Sequence, residues 1–235
     1  MKLSVIIPVY NEERVVADTA AKLSSFLREY LPGDSEILFV NDGSNDRTAE
    51  ILESIAASDA SLRVVSYSPN RGKGSAVRTG MLSACGDVRM FTDADLAYGT
   101  DVIPAFTEAI MNGSDVAVGT RRKGGYGSYS FIRRIASGVF LFLIKIAGRL
   151  PVSDSQCGCK AFSAEAAGKI FSECETDGYA FDFEALLRAS KAGFKISEIP
   201  VVIKNHGQSK VRVIRDSFRM LRDVRKIRKK VYPRR

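Results

Sequence analysis

Two carboxylates one residue apart, Asp93 and Asp95, follow the apolar run 88–92 and carry the most legible chemistry in this 235-residue sequence. Hard oxygen donors at that spacing suit Mg2+ or Mn2+ held jointly with the phosphates of a substrate. Such an ion would neutralise a diphosphate leaving group as its bond to carbon breaks. A D-x-D alone is more often a turn or a helix cap, so the reading rests on what surrounds it. Asp42 ends another apolar run, where it can accept from a base or ribose, or simply cap the turn Asn41-Asp42-Gly43-Ser44. Lys73, between Gly72 and Gly74, can touch phosphate or stand as an exposed turn lysine. There is no Walker A sequence, and no G-x-G-x-x-G follows the first apolar run, which disfavours kinase-type and dinucleotide sites.

The elements that must position these groups follow from periodicity. Continuous β-branched runs at 3–9, 36–40, 63–67 and 88–92 predict buried parallel strands. Apolar residues at three-and-four spacing predict helices over 15–30, from Ser44 to about 57, and over 75–84. Four strand–helix alternations in the first 95 residues or so imply an α/β fold with a mostly parallel sheet. Ligands in such sheets bind beyond the carboxyl ends of the strands. Residues 8–11, Asp42, the Lys73 turn and Asp93/Asp95 all fall on that rim. The second half is less regular. It predicts a helix at 101–111, a strand at 115–119, a basic Gly- and Tyr-rich loop at 121–130 and an amphipathic helix at 131–150. An irregular polar segment, 153–162, leads to a strand. A helix at 182–192, a strand pair at 195–203 interrupted by Pro200, and an amphipathic helix from 211 complete the chain.

Charge is unevenly spread. From Lys204 onward, 13 lysines and arginines face two acids, a net +11, and the preceding residues carry −3. A basic tail of this kind suits a polyanion, either nucleic acid or an anionic membrane surface. Four cysteines are too few for a disulfide scaffold, and Cys157 and Cys159 lack zinc-hook spacing, which points to reduced thiols in the cytoplasm. The sequence enters a strand directly after Met1-Lys2, so no signal peptide is expected. The longest apolar stretch, 135–147, includes Lys145 and falls short of the roughly 20 residues a bilayer span needs.

Taken together, Pro8-Val9-Tyr10-Asn11-Glu12, Asn41-Asp42-Gly43-Ser44, Asn70-Arg71-Gly72-Lys73-Gly74 and Thr92-Asp93-Ala94-Asp95-Leu96 resemble, in order and spacing, the successive motifs of glycosyltransferase family 2. Downstream, several motifs resemble the polyprenyl-phosphate group of that family, which includes dolichyl-phosphate glucosyl- and mannosyltransferases. They are Gly119-Thr120-Arg121, the run Arg133 to Ser137, Asp154-Ser155-Gln156-Cys157-Gly158-Cys159-Lys160, Phe181-Asp182-Phe183-Glu184 and Gly207 to Val211. The resemblance implies a GT-A fold and an inverting, Mg2+- or Mn2+-dependent transfer from a nucleotide sugar to a polyprenyl or dolichyl phosphate. By motif position Pro8, Tyr10, Glu12 and Asp42 hold the nucleoside with Lys73 nearby. Asp93 and Asp95, with Ala94 between, serve metal and diphosphate. Arg121, Arg133 and Ser137 grip the acceptor phosphate, Gln156 stands in a substrate-facing motif, and Ser209 and Lys210 belong to a loop over the donor.

Physical chemistry makes this acceptor sensible. A phosphate monoester is largely ionised at neutral pH and needs no general base, unlike a sugar hydroxyl. Arg133 and Ser137, four apart, would share a helix face. Asp182 and Glu184 fit either sugar orientation or the first turn of a helix. Ala97 stands where mannosyl-type relatives often carry glutamine, and the Gln156-Cys157-Gly158 run with the Asp182-x-Glu184 pair resembles the glucosyl branch, which implies UDP-glucose rather than GDP-mannose. The lipid acceptor would place residues 1–210, the GT-A domain, on the cytoplasmic face of a membrane. The basic amphipathic helix and tail, 211–235, would attach it peripherally. Competing readings are a sugar nucleotidyltransferase, a nucleic-acid-binding protein using the tail, and a non-catalytic membrane-surface scaffold. The nucleic-acid reading has no recognisable reading module.

Overall fold

A computed structural model describes residues 2–121, 150, 152–204 and 213–232, with side chains in the last stretch from residue 222. The first apolar run forms β1 (Leu3–Val9). Leu3, Val5, Ile7 and Val9 pack on one side of the sheet and Ile6 on the other, the two-residue period of a strand. Burial on both faces is why the run reads as continuously apolar. Next come α1 (Val16–Tyr30), β2 (Ser35–Asp42), α2 (Thr48–Ala56), β3 (Leu62–Tyr67), α3 (Lys73–Ser83) and β4 (Val88–Phe91). The described remainder supplies α4 (Ile103–Met111), β5 (Val116–Arg121), β6 (Lys160–Ser163), α5 (Ala164–Glu173), α6 (Phe181–Lys191), β7 (Ile196–Val201) and α7 (Val213–Val231). One sheet runs β3-β2-β1-β4-β6-β5-β7, parallel except that β6 is antiparallel to β4 and β5. This is the mostly parallel α/β architecture that the alternation predicts.

Helices α1, α2 and α4 contribute to the core on one face. On the other face lie α3, α5, α6 and the last two turns of α7, whose Val224, Ile227 and Val231 are buried. Arg222, Arg225, Lys226 and Lys229 point outward from the same turns. The apolar stripe of this stretch is therefore part of the body's core.

Two segments differ from expectation. Helix α5 is absent from the sequence reading, although its signals are present. The Ser163 hydroxyl caps it, accepting from Ala166 N–H at 3.1 Å, and Ala166, Ala167, Ile170 and Phe171 bury one face. The expected strand pair at 195–203 is a single strand that includes Pro200. The Lys195 carbonyl accepts from Val116 N–H at 3.1 Å, so backbone groups of odd-numbered residues face β5 and those of Pro200 face the open edge. A missing donor costs nothing there. The expected loop 121–130 and helix 131–150 lie almost wholly outside the described residues.

The site is opened by the way β1 and β4 separate. Leu3 N–H bonds the Asp34 carbonyl on the β2 side, so Ser4, Ile6 and Pro8 face β4. Thr92 N–H bonds the Ile6 carbonyl at 3.1 Å. In a parallel ladder the next donor would be residue 8, and proline has none. The strands part at that point. Sheet order reverses between the same two strands, because β2 and β3 lie to one side of β1 and β4 to the other.

At the opposite end of the sheet, buried Glu36 binds together the starts of these strands. It accepts from the Ser4 hydroxyl, from Cys85 N–H at 2.7 Å and from Arg63 at 2.8 Å. Burial opposes its ionisation, but these bonds outweigh burial and hold the carboxyl below its ordinary range. Glu36→Ala should cost about 2 kcal/mol in urea unfolding at neutral pH, because it leaves the buried Ser4 hydroxyl without its acceptor and removes the charged partner of Cys85 N–H and Arg63. The difference from wild type should persist above about pH 4.3, the unfolded value, and shrink as pH falls through the lower native one. A pH-independent difference would contradict this role for the charge.

Candidate active site

The loops leaving β1, β2, β3 and β4 meet at this parting. Residues 10–12 are fixed against the loop after β2. Asn11, at φ 53°, donates its N–H to the Ser44 hydroxyl at 3.0 Å and accepts from Asn45 N–H at 2.8 Å. Glu12 N–H donates to the Thr48 hydroxyl at 2.8 Å. Pro8 ends the β1–β4 ladder, and Tyr10 is 39% exposed at the mouth. Asp42 is buried, and its carboxylate accepts from Arg71 N–H (2.7 Å), Asn70 Nδ2 (2.8 Å) and Gly72 N–H (2.9 Å). It therefore fastens the glycine turn, a role its place after a strand does not reveal. Beside it, the Arg71 guanidinium lies 4.7 Å from the centre of the Tyr67 ring. Gly72 has φ 108°, and a Cβ there would come within 2.5 Å of the Asp177 carbonyl. The turn needs glycine for close backbone packing, whatever it also does for phosphate.

Asp93 and Asp95 leave β4 on a tight turn in which Leu96 adopts φ 45°. The Ala94 carbonyl accepts from the Thr19 hydroxyl, and the Ala97 carbonyl accepts from Lys204 N–H at 2.7 Å. Lys73, at the start of α3, makes an ion pair with Asp93. Burial opposes the charge of Lys73, yet Asp93 and Asp182 outweigh it and hold its pKa above the usual lysine value. Burial and the neighbouring Asp93 carboxylate push Asp95 upward, with Glu12 adding to the repulsion. Asp95 accepts from Ala97 N–H at 3.1 Å, and its carboxylate is exposed at the turn. Gly158 lies so close that a Cβ on it would collide with Asp93 Oδ2. Among the described residues no three His, Cys, Asp or Glu side chains converge to hold a metal. The pair fits an ion shared with a ligand's phosphates and not one held by protein alone.

On the other side of the crevice, Arg121 ends β5 in a bidentate pair with buried Asp154, at 2.6 Å and 2.9 Å. Burial is overcome by this pairing on both sides, raising the arginine and lowering the acid. Arg121 is therefore a compensated cation, and Asp154 its unanticipated anchor. Asp154 also accepts from Gln156 N–H at 3.1 Å, and Gln156 Nε2 is buried with no hydrogen-bond partner among the described residues. An orphaned buried donor is costly unless a ligand completes it. Buried Lys160 donates to Asp182 and to the Cys157 carbonyl, each at 2.6 Å. Glu184 accepts from Thr176 N–H at 2.8 Å and pairs with Arg188. Both α6 acids are therefore engaged within the protein. Arg133, Ser137, Ser209 and Lys210 lie outside the described residues.

Residues 4–171 match the family described as glycosyl transferase family 2. The chain belongs to that family. It is 34% identical to the dolichyl-phosphate beta-glucosyltransferase of Saccharomyces cerevisiae over 94% of this chain and 72% of the yeast protein. It is 32% identical to glycosyltransferase AglD of Haloferax volcanii over 94% of this chain, but spans only 36% of that protein. In three dimensions it resembles glucosyl-3-phosphoglycerate synthase from Mycobacterium tuberculosis, crystallised with Mn2+ and UDP-glucose. The TM-score is 0.71 at 20% identity, covering 98% of this chain and 78% of that one. The family's GT-A fold is therefore present. In glycosyltransferase terms, Asp93-Ala94-Asp95 sits at the expected end of the expected strand.

The raised Asp95 makes a prediction in the metal-free protein. Asp95→Asn removes a like charge beside Asp93 at an exposed position, where solvent screens it, so it should raise the melting temperature at pH 7 only slightly. Because the native pKa is the raised one, the melting difference should diminish as pH falls through it and vanish below the unfolded value of about 3.9. Equal melting of the two metal-free proteins at pH 7 would refute the repulsion.

Proposed function

We propose that this protein transfers a hexose from a nucleotide sugar to a polyprenyl or dolichyl phosphate, with inversion at the anomeric carbon. UDP-glucose is the favoured donor and GDP-mannose the second. The observation that carries the reading is the convergence of four strand-end loops on a repelling Asp93/Asp95 pair that calls for a cation. The relatives named as dolichyl-phosphate beta-glucosyltransferases support the acceptor.

Asp93 and Asp95 would hold Mg2+ or Mn2+, which when bound neutralises the departing diphosphate. Residues 8–12 and the Asp42-fastened turn frame the nucleoside, with the Tyr67 ring and Arg71 as its wall. Lys73 exchanges Asp93 for a diphosphate oxygen. Gln156 Nε2 donates to the sugar. On the acceptor side, Arg121 uses Nε and Nη2 for Asp154, and a guanidinium has donors beyond those, so it can present its remaining edge to the lipid phosphate. Arg133 and Ser137 join it by motif position, and Ser209 and Lys210 serve the donor. A phosphate dianion attacks without a base, so the chain's task is to bring two anions together in line. Incubation with a panel of nucleotide sugars, polyprenyl phosphate and Mn2+ should give a lipid-linked hexose. Asp95→Ala should reduce it at least 100-fold, on the order of the loss expected for a group that stabilises transition-state charge. No product from any donor would defeat the reading.

A lipid-phosphate acceptor supports attachment to an anionic membrane, and we assign it to the cytoplasmic face as part of the same proposal. Among the described residues no helix is long and apolar enough to cross a bilayer. The last turns of α7 spend their apolar stripe on the core, so docking there runs through the outward Arg222, Arg225, Lys226 and Lys229. At about 1 kcal/mol per basic residue, Arg225→Glu/Lys226→Glu/Lys229→Glu should weaken binding to phosphatidylserine vesicles by on the order of 100-fold. High salt should do the same to wild type, and retention of binding at 1 M salt would contradict electrostatic docking.

A further inference from the structure

Lys160 is wholly buried and lies directly behind the candidate metal site. Its ammonium touches two oxygens, Asp182 Oδ1 and the Cys157 carbonyl, and stands 5.4 Å from the centre of the Phe91 ring. A buried ion pair is seldom the most stable filling for a core, since apolar residues of similar volume often do as well or better. Its two attachments give it another use. The Cys157 carbonyl belongs to the peptide that leads into Gly158, and Gly158 packs against Asp93 Oδ2 with no room for a Cβ. Cys157 is held from the far side too, its sulfur filling the space where a Gly119 side chain would stand. Lys160 therefore fixes the backbone that sets where Asp93 points. Its second partner, Asp182, is also one of the two acids whose field acts on Lys73. With Lys160 in place Asp182 is satisfied, and Lys73 pairs with Asp93 at the mouth.

We infer that Lys160 is a positioning residue for the metal-bearing carboxylate, acting through the Cys157–Gly158 backbone and through Asp182. The inference rests on the reading of Asp93 and Asp95 as a metal–diphosphate site, and it concerns residues that touch neither substrate nor metal.

The test measures Mn2+·UDP binding by calorimetry, without turnover, on wild type, Lys160→Met, Lys160→Met/Asp182→Leu and Gly158→Ala. The double variant replaces the pair by apolar side chains, which keeps the core dry and folded. Mn2+·UDP affinity should fall about tenfold or more in each folded variant, while binding of UDP without metal changes less than threefold. In the transfer reaction the Mn2+ concentration for half-maximal rate should rise by a similar factor, and excess Mn2+ should recover most of the rate. If the double variant and Gly158→Ala are folded and bind Mn2+·UDP as wild type does, the positioning role is overturned. Should Lys160→Met fail to fold, those two variants decide. Absence of Mn2+·UDP binding in wild type would instead remove the site reading, a distinct result.

Discussion

The β1–β4 ladder closes as far as Ile6 and no further, and the candidate site exists because of that stop. A proline in a central strand is ordinarily disruptive, since it deletes a ladder donor. Here Pro8 stands where deletion is useful: the Thr92 carbonyl is left without its next partner, and the chain after β4 is free to turn. That turn is then fixed from three sides, by Thr19 on the Ala94 carbonyl, by the Leu96 backbone at positive φ, and by Lys204 N–H on the Ala97 carbonyl. The turn thereby presents Asp93 and Asp95 on one short segment, where the proposed cation would offset their like charge.

Charge around the crevice follows a graded rule. Deep groups are neutralised in full by pairing, as in Lys160–Asp182 and Arg121–Asp154, because an uncompensated buried ion costs several kcal/mol. At the mouth, Asp93, Asp95 and nearby Glu12 outnumber Lys73, so the surplus is negative where a metal would enter. The proposed reaction between two phosphates would require both signs in one crevice. The protein separates them by strand: acids on the turn after β4, and a tethered arginine at the end of β5.

Much of this was legible from local sequence. Continuous apolar runs and the three-to-four-residue period place β1 to β4 and their helices, and the convergence of four polar features beyond the strand ends, with Asp93-Ala94-Asp95 among them, marks the rim. Contacts across the fold were not legible. Asp42 is placed by sequence as a ligand for a nucleoside, and that its carboxylate also fastens Asn70, Arg71 and Gly72 depends on how β2 and β3 pair. Asp154, Gly158 and Lys160 all lie in a quoted motif, but their partners are 33, 65 and 22 residues distant in sequence, at Arg121, Asp93 and Asp182. Pro200 was read as a break because sequence does not say which strand is an edge.

The C-terminal helix shows the same limit and what resolving it changes. Apolar residues every third or fourth position suit a core and a bilayer surface equally, and only burial separates the two. With Val224, Ile227 and Val231 in the cluster that also holds Phe91 and Phe181, the helix joins the layer behind the turn that carries Asp93 and Asp95. Basic residues on a loose tail would tether a protein without orienting it. The same residues on a packed helix keep a fixed relation to the crevice, so binding an anionic surface through them also sets the crevice's attitude to that surface. For an acceptor whose phosphate stays at the lipid headgroups, orientation of this kind lowers the entropy cost of bringing the two anions into line.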